Sequence, residues 1–480
     1  MKKNSIIKAI VITFLIYVLA SWVIPSGTIQ NGVFTKGKTS PVGISDIFIY
    51  PISTSITSIF VLGGLIVLLI GALYGVMNKT GVYTNLVEGS VKKFKGSEKS
   101  FLVISILLFA VLASLTTLTL PLLILVPFFV AVILSLGFNK MTAFLSTVGA
   151  ILVGTMGAIY GYNVDGYNFN NYFFGLKAND NILWKVVLFV LLTTVLIIYV
   201  IKTSKIEKAK KSTKKAKEET NEEVIIPLYK KEKASKKSAT PLVVVTLLAV
   251  VIALIAMFNW NGALGIQKNI FDTWYSNITS VKINDYPLFA NLLGSVKAFG
   301  LWTNYELAML LMILMLVIGF IYNLKIKDTF EAAVEGAKEV LPVAAVAILA
   351  NVLLLVVNSA TATFIPTIYN ALFTMVKGFN FATMSVAGMI GSIGFSQYPY
   401  LLNSLYDPTT ALYAKELSET SFILQAMHGF TMMLVPTSVG LVVGLQYLGI
   451  SYKEWLKDNW KLLLSLLATA LIVIIIVTLI

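Results

Sequence analysis

The chain has 480 residues, 57% hydrophobic and 12% charged, and a mean hydropathy of +0.84. That balance excludes a soluble enzyme, a disordered chain and a disulfide scaffold. The formal charge of +14 rests on lysine alone, because neither arginine nor cysteine occurs, so thiolate metal sites and the guanidinium fork that clamps carboxylates are both excluded.

A bilayer core of roughly 30 Å needs about 20 apolar residues per helix. Apolar runs of that order lie at 5–24, 54–77, 101–117, 118–136, 142–162 and 182–201, then at 241–258, 301–322, 340–357, 364–376, 381–395, 422–445 and 462–480. They predict an all-α polytopic membrane protein with about 11–13 transmembrane segments. The first run follows Lys2 and Lys3 and lacks a small-residue cleavage pattern; it reads as a retained helix with a cytoplasmic N-terminus.

Lysine clusters at 79–99, 202–237, 325–338 and 453–461 mark the cytoplasmic side, while the Tyr/Asn/Gly-rich loops 25–51, 161–181 and 259–300 face outward. Residues 202–237 carry 13 Lys and 6 Glu, a net +7, without interleaved aromatics. This reads as a solvated linker and not as a nucleic-acid surface. The chain then divides into an N-terminal transmembrane half (1–201), a Lys-rich cytoplasmic linker (202–240) and a C-terminal transmembrane half (241–480).

Three short matches recur in order between the halves: V-E-G at Val87 and Val334; hydroxyl clusters ahead of proline (Ser114, Thr116, Pro121 and Ser359, Thr361, Pro366); and G-F-N-x-x-T at Gly137 and Gly378. Their offsets of 247, 245 and 241 argue for duplicated halves, as in secondary transporters. Lysine counting makes the halves parallel, whereas the short segments leave their parity, and with it an inverted relation, open.

Helices that break inside a membrane expose backbone groups only where these line a cavity or are buried in protein. Ser114 to Pro121, Ser359 to Pro366 and Pro436-Thr437-Ser438-Val439-Gly440 are hydroxyl-bearing candidate breaks, and the Gly154, Thr155, Gly157, Gly161 run ending at Asn163 is a fourth. Hydroxyls together with a half-helix N-terminus can hold a carboxylate without arginine. The candidate substrate-binding residues are therefore Thr437, Ser438, Gly440, Ser114, Thr116, Ser359, Thr361, Thr155, Gly157 and Asn163. His428, the only histidine, lies within an apolar run and is the candidate proton carrier. Asp165 sits at the predicted outer mouth. There is no P-loop, and one histidine without cysteine cannot build a conventional zinc site.

I-G-A-L-Y-G-V-M-N-K-T-G from Ile70, F-E-A-A-V-E-G-A-K from Phe330, V-P-T-S-V-G from Val435 and I-S-Y-K-E-W-L-K from Ile450 resemble segments of the YfcC-like branch of the C4-dicarboxylate anaerobic carrier (DcuC-type) family. The resemblance implies a bacterial inner-membrane secondary carrier of the ion-transporter superfamily for dicarboxylates or amino acids. It places functional breaks at Pro436, Thr437, Ser438, Gly440 and at Gly154 to Asn163. The chain departs from the family pattern where His428, Gly429 and Phe430 replace an Asp-containing motif, and where Leu118 and Thr119 replace an acidic pair before Pro121.

The expected function is alternating-access secondary transport of a small carboxylate-bearing metabolite, by symport or antiport, with no cofactor and with Na⁺ or H⁺ coupling. An amino acid fits more easily than a C4-dicarboxylate, which needs two anion sites without arginine. The expected partners are the substrate, the bilayer and a second copy in a homodimer. A channel, and a lipid-handling or membrane-embedded enzyme, are the competing readings.

Overall fold

The computed structural model describes residues 5–43, 45, 60–161, 163–164, 167–177, 179–206, 226–232 and 235–479. Helix α1 (Ser5–Val23) leads into a hairpin of β1 (Gly27–Gln30) and β2 (Val33–Lys36). A π-helical turn (Phe60–Leu65) continues as α2 (Ile66–Lys79), followed by α3 (Val82–Phe94), α4 (Glu98–Thr116), α5 (Thr119–Leu123) and α6 (Val126–Ser135). Next, α7 (Lys140–Phe144) passes through a second π turn (Leu145–Gly149) into α8 (Ala150–Met156). A small hairpin, β3 (Asn163–Val164) and β4 (Tyr167–Asn168), precedes α9 (Phe169–Phe174) and α10 (Ile182–Thr203).

The second half holds α11 (Thr240–Met257), the short α12 (Trp260–Leu264), α13 (Ile270–Thr279) and α14 (Leu288–Leu293), then α15 (Asn304–Ile321) and α16 (Ile326–Thr374). It closes with α17 (Phe381–Gly394), α18 (Tyr398–Leu412), α19 (Leu417–Met432), α20 (Val439–Leu448) and α21 (Tyr452–Leu479). Among the described residues seven helices, α1, α4, α10, α11, α15, α16 and α21, are long and apolar enough to span a membrane, and the α2–α3 pair, bent by 88°, makes an eighth candidate. The shorter apolar stretches Thr119–Ser135, Lys140–Met156, Phe381–Gly394 and Val439–Leu448 supply the broken segments. Exposed apolar faces, with Ile12, Ile16 and Leu19 on α1 and Leu316 and Phe320 on α15, form the surface a bilayer covers. The protein is an all-α, multi-pass membrane protein with broken helices.

One expected break is absent. Residues 340–357 and 364–376 belong to a single 49-residue helix, α16, with Pro342 and Pro366 inside it. Thr361 Oγ1 donates back to the Val357 carbonyl at 2.6 Å and Thr363 Oγ1 to Ala360 at 2.8 Å, so the hydroxyls follow the helix instead of ending it. Where no water can satisfy a freed carbonyl, continuing the helix past a proline costs less than stopping.

The two halves meet most closely where α2 crosses α16. Gly71 and Gly75 lie one turn apart on α2, and a Cβ at Gly75 would collide with the Ala332 backbone, as would one at Gly336 with Gly71. Such close backbone approach is how membrane helices associate when apolar burial gives no advantage over lipid.

Lysine-rich segments gather at one end. The Tyr452 N–H donates to Ser5, Lys99 to the Ile201 carbonyl and Tyr199 to the Asp458 carbonyl, while Lys231 pairs with Glu88 and Lys230 with Glu335. The opposite end carries the β1–β2 hairpin, where Thr367 donates to the Pro25 carbonyl, and the loop whose Asn181 donates to Ser418.

The repeated G-F-N motif bears on the relation that the sequence leaves open. Asn139 and Asn380 each cap a helix by accepting the N–H of the third helical residue, Thr142 at 2.8 Å and Thr383 at 3.1 Å, and Gly137 and Gly378 both take positive φ. Asn139 stands at the lysine-rich end, where Phe138 bridges to Ile206. Asn380 stands at the other end, where Phe379 packs on Tyr413 and the neighbouring Ala411 lies against Gly32 of the hairpin. The matched helices run in opposite directions, so the motif is repeated with inverted topology. Lysine counting missed this because a helix that stops half-way does not change the side on which the next loop emerges.

Candidate functional site

Helices α8 and α17 enter from opposite ends and both stop in the interior, at the buried Gly157 and Gly394. Between them lies α19, every residue of which is buried from Thr420 to Met432. Glycine makes the approach possible: a Cβ at Gly429 would strike the Met156 backbone of α8, and Gly388 of α17 faces Leu424 and Met427. Helix α19 is thus held between the ends of two inverted helices, the arrangement that puts broken-helix termini at mid-depth.

The polar contacts concentrate here. Ser114, at the end of α4, donates to the Gly157 carbonyl at 2.6 Å, and the Ile159 N–H returns a bond to the Ser114 carbonyl at 2.9 Å. Gln425 Nε2 donates to the Ala158 carbonyl at 2.7 Å. His428 Nδ1 is 3.1 Å from Ser392 Oγ of α17, and its ring lies 5.1 Å from that of Tyr398. Thr437 Oγ1 reaches the Ile393 carbonyl at 3.4 Å, and a Cβ at Gly394 would run into Thr361.

The expected break after α19 is present: the chain leaves the helix at Met433 and restarts at Val439, with the buried Ser438 as the N-cap residue of α20 and no side-chain cap bond there. Gly440, in the first turn of α20, faces Leu152 of α8. The first turn of α20 thus has no side-chain cap, and an uncapped helix start is a place where negative charge is favoured. Helix α4 also ends as expected, at Thr117, whose φ of +56° turns the chain.

Of the residues expected to bind substrate, Ser114, Gly157, Thr361, Thr437, Ser438 and Gly440 meet in this region. Thr116 Oγ1 instead donates to its own Leu112 carbonyl and accepts the Leu118 N–H, and Thr155 bonds its own helix at Leu152. Ser359 is half-buried on the unbroken α16, and Asn163 stands in the β3–β4 hairpin. Asp165 and linker residues 207–225 lie outside the described residues. Sequence reasoning passed over Gln425 and Ser392; Ser392 had a signal in the small-residue run Gly388, Gly391, Ser392, Gly394, whereas a lone glutamine has none.

Charge at this centre is sparse. Among the described residues the buried charged side chains are Lys185 and Glu306, and no group of three His, Asp or Glu is placed to hold a metal ion. The arrangement offers hydroxyls, amide groups and helix ends, groups whose chemistry suits hydrogen bonding to a small polar solute.

Inverted broken helices meeting inside an all-helical, lipid-facing fold are an architecture that secondary transporters use. The sequence profile of the C4-dicarboxylate anaerobic carriers (DcuC) matches residues 4–397. The chain belongs to the C4-dicarboxylate anaerobic carrier family, and is accordingly a carrier and not an enzyme. The match ends ahead of α19, so the resemblance of segments 435–440 and 450–457 lies beyond it. No curated protein matches the chain. Among solved structures, the Alcanivorax borkumensis YdaH transporter aligns over 98% of this chain and 97% of that one, at 11% identity and a TM-score of 0.38.

Proposed function

We propose that this protein is a secondary active transporter that moves a small carboxylate-bearing metabolite, an amino acid or a C4-dicarboxylate, by alternating access across a bacterial inner membrane. The observation that carries the reading is the meeting of α8 and α17, from opposite ends, on α19. A solute bound there has one inverted helix end on each side, so rocking one half against the other exposes it to either face. The open N-terminus of α20, with Ser438 and Thr437, is the carboxylate site that an arginine-free chain can build. His428 is the group for H⁺ coupling, and freed helix-end carbonyls are the groups for Na⁺ coupling.

By the lysine distribution, the end that gathers Ser5, Glu88, Lys230 and Asp458 is cytoplasmic. A strap at residues 226–231 closes this end. Leu228, 1% exposed and held at a φ of +56°, sits over an apolar cavity of about 40 Å³ together with Val67, Val126, Val340 and Val443. Its N–H donates to Glu339 of α16, its carbonyl and the Lys230 N–H bond to Asn78 of α2, and the Pro227 carbonyl accepts Tyr447 of α20. The strap ties both halves together and must loosen when that side opens.

Joining the strap to α16 tests the cycle. With Lys230→Cys and Glu335→Cys in the naturally cysteine-free chain, a short bis-thiosulfonate linker is expected to stop uptake into proteoliposomes, and reductant to restore it. Uptake unchanged in fully linked protein would remove the strap from the cycle.

A further inference from the structure

The amide of Gln425 is held in one orientation and left half-satisfied. Gln425 is 1% exposed, and its Nε2 donates to the Ala158 carbonyl at 2.7 Å. Only the NH₂ side of an amide can face a carbonyl, so the other atom is the acceptor Oε1. That oxygen is buried and has no hydrogen-bond partner among the described residues. Buried acceptors are paired in folded proteins because an unpaired one keeps the full penalty of losing water. A half-satisfied amide at the meeting point of α8, α17 and α19, one turn before His428, is an acceptor waiting for a ligand.

We infer that Gln425 Oε1 sets substrate specificity by accepting an N–H or O–H of the bound substrate. This rests on the transport reading above and deepens it: Gln425 takes a donor that the carboxylate-bearing substrate carries. The ligand class is then an amino or hydroxy acid. A plain dicarboxylate anion has only acceptors and leaves Oε1 unpaired. A site built around a buried acceptor discriminates against the analogue that lacks the donor, since the unpaired group is left behind in the complex.

The test compares malate with succinate, which differ by one hydroxyl, and adds aspartate as the ammonium counterpart, each labelled and measured with the full chain in proteoliposomes. The unaltered protein is expected to favour malate over succinate in kcat/KM by about tenfold, the effect of one buried hydrogen bond. In Gln425→Leu the ratio is expected to fall to near one. Because it is read within one preparation, the ratio is independent of how much protein folds. Should Gln425→Leu take up neither acid, the ratio in the unaltered protein still decides. Equal handling of malate and succinate by the unaltered protein, or an unchanged preference in Gln425→Leu, would overturn the Gln425 assignment alone. Uptake of none of the three acids by the unaltered protein would overturn the transport reading itself.

Discussion

At the scale of single residues, the centre is built from groups that carry dipoles and not charges. Thr437 and Ser438 occupy the gap between α19 and α20, where the Ser438 side chain makes no cap bond and Thr437 makes only a long contact to Ile393. Hydroxyls so weakly engaged by the protein are available to a solute. Replacing either by alanine removes little structural bonding and, on the proposed function, a ligand contact. Thr437→Ala and Ser438→Ala are each expected to cut uptake at least about tenfold, the effect of losing a hydrogen bond to a charged group, while insertion and thermal stability hold. Uptake undiminished in either variant would take that residue out of the site. The break at these residues was legible in the sequence because Pro, hydroxyls and Gly stand together in an apolar run. Gln425 was not, since what distinguishes it is an oxygen left unpaired by three-dimensional packing.

Among elements, the decisive contacts are those in which glycine lets backbones touch. The α2–α16 crossing joins the halves through Gly71, Gly75 and Gly336, and a side chain at Gly75 would meet the Ala332 carbonyl and the Gly336 backbone. Gly75→Leu is therefore expected to abolish the monodisperse, folded fraction after detergent extraction. Gly89→Ala on α3 should leave that fraction unchanged, because nothing lies within 4 Å of a Cβ there. Size-exclusion chromatography of both variants checks this; equal folded yields would mean that the crossing can separate without loss. The sequence marked some elements well: the Asn139 and Asn380 caps follow from a motif whose geometry is local. It marked α16 poorly, since Ser359, Thr361 and Pro366 look like a break until the apolar surroundings are known to favour an unbroken helix.

For the whole molecule, the inverted relation of the two G-F-N helices matters more than the number of spans. Composition and apolar runs alone gave a multi-pass helical membrane protein. Direction within the membrane did not follow from lysine counts, because half-length helices such as α17 return the chain to the side from which it came. Once α8 and α17 are seen to enter from opposite ends, a single central site accessible in turn from each face becomes the economical mechanism, and a permanently open channel becomes the alternative to eliminate. The direct measurement is accumulation of labelled aspartate, malate and succinate in proteoliposomes under an imposed H⁺ gradient, Na⁺ gradient or counter-substrate load. The account predicts that at least one of these solutes rises inside above its outside concentration and that the rise collapses with the driving gradient. Fluxes of all three that only ever run downhill, or that pass as a large ionic conductance, would contradict it.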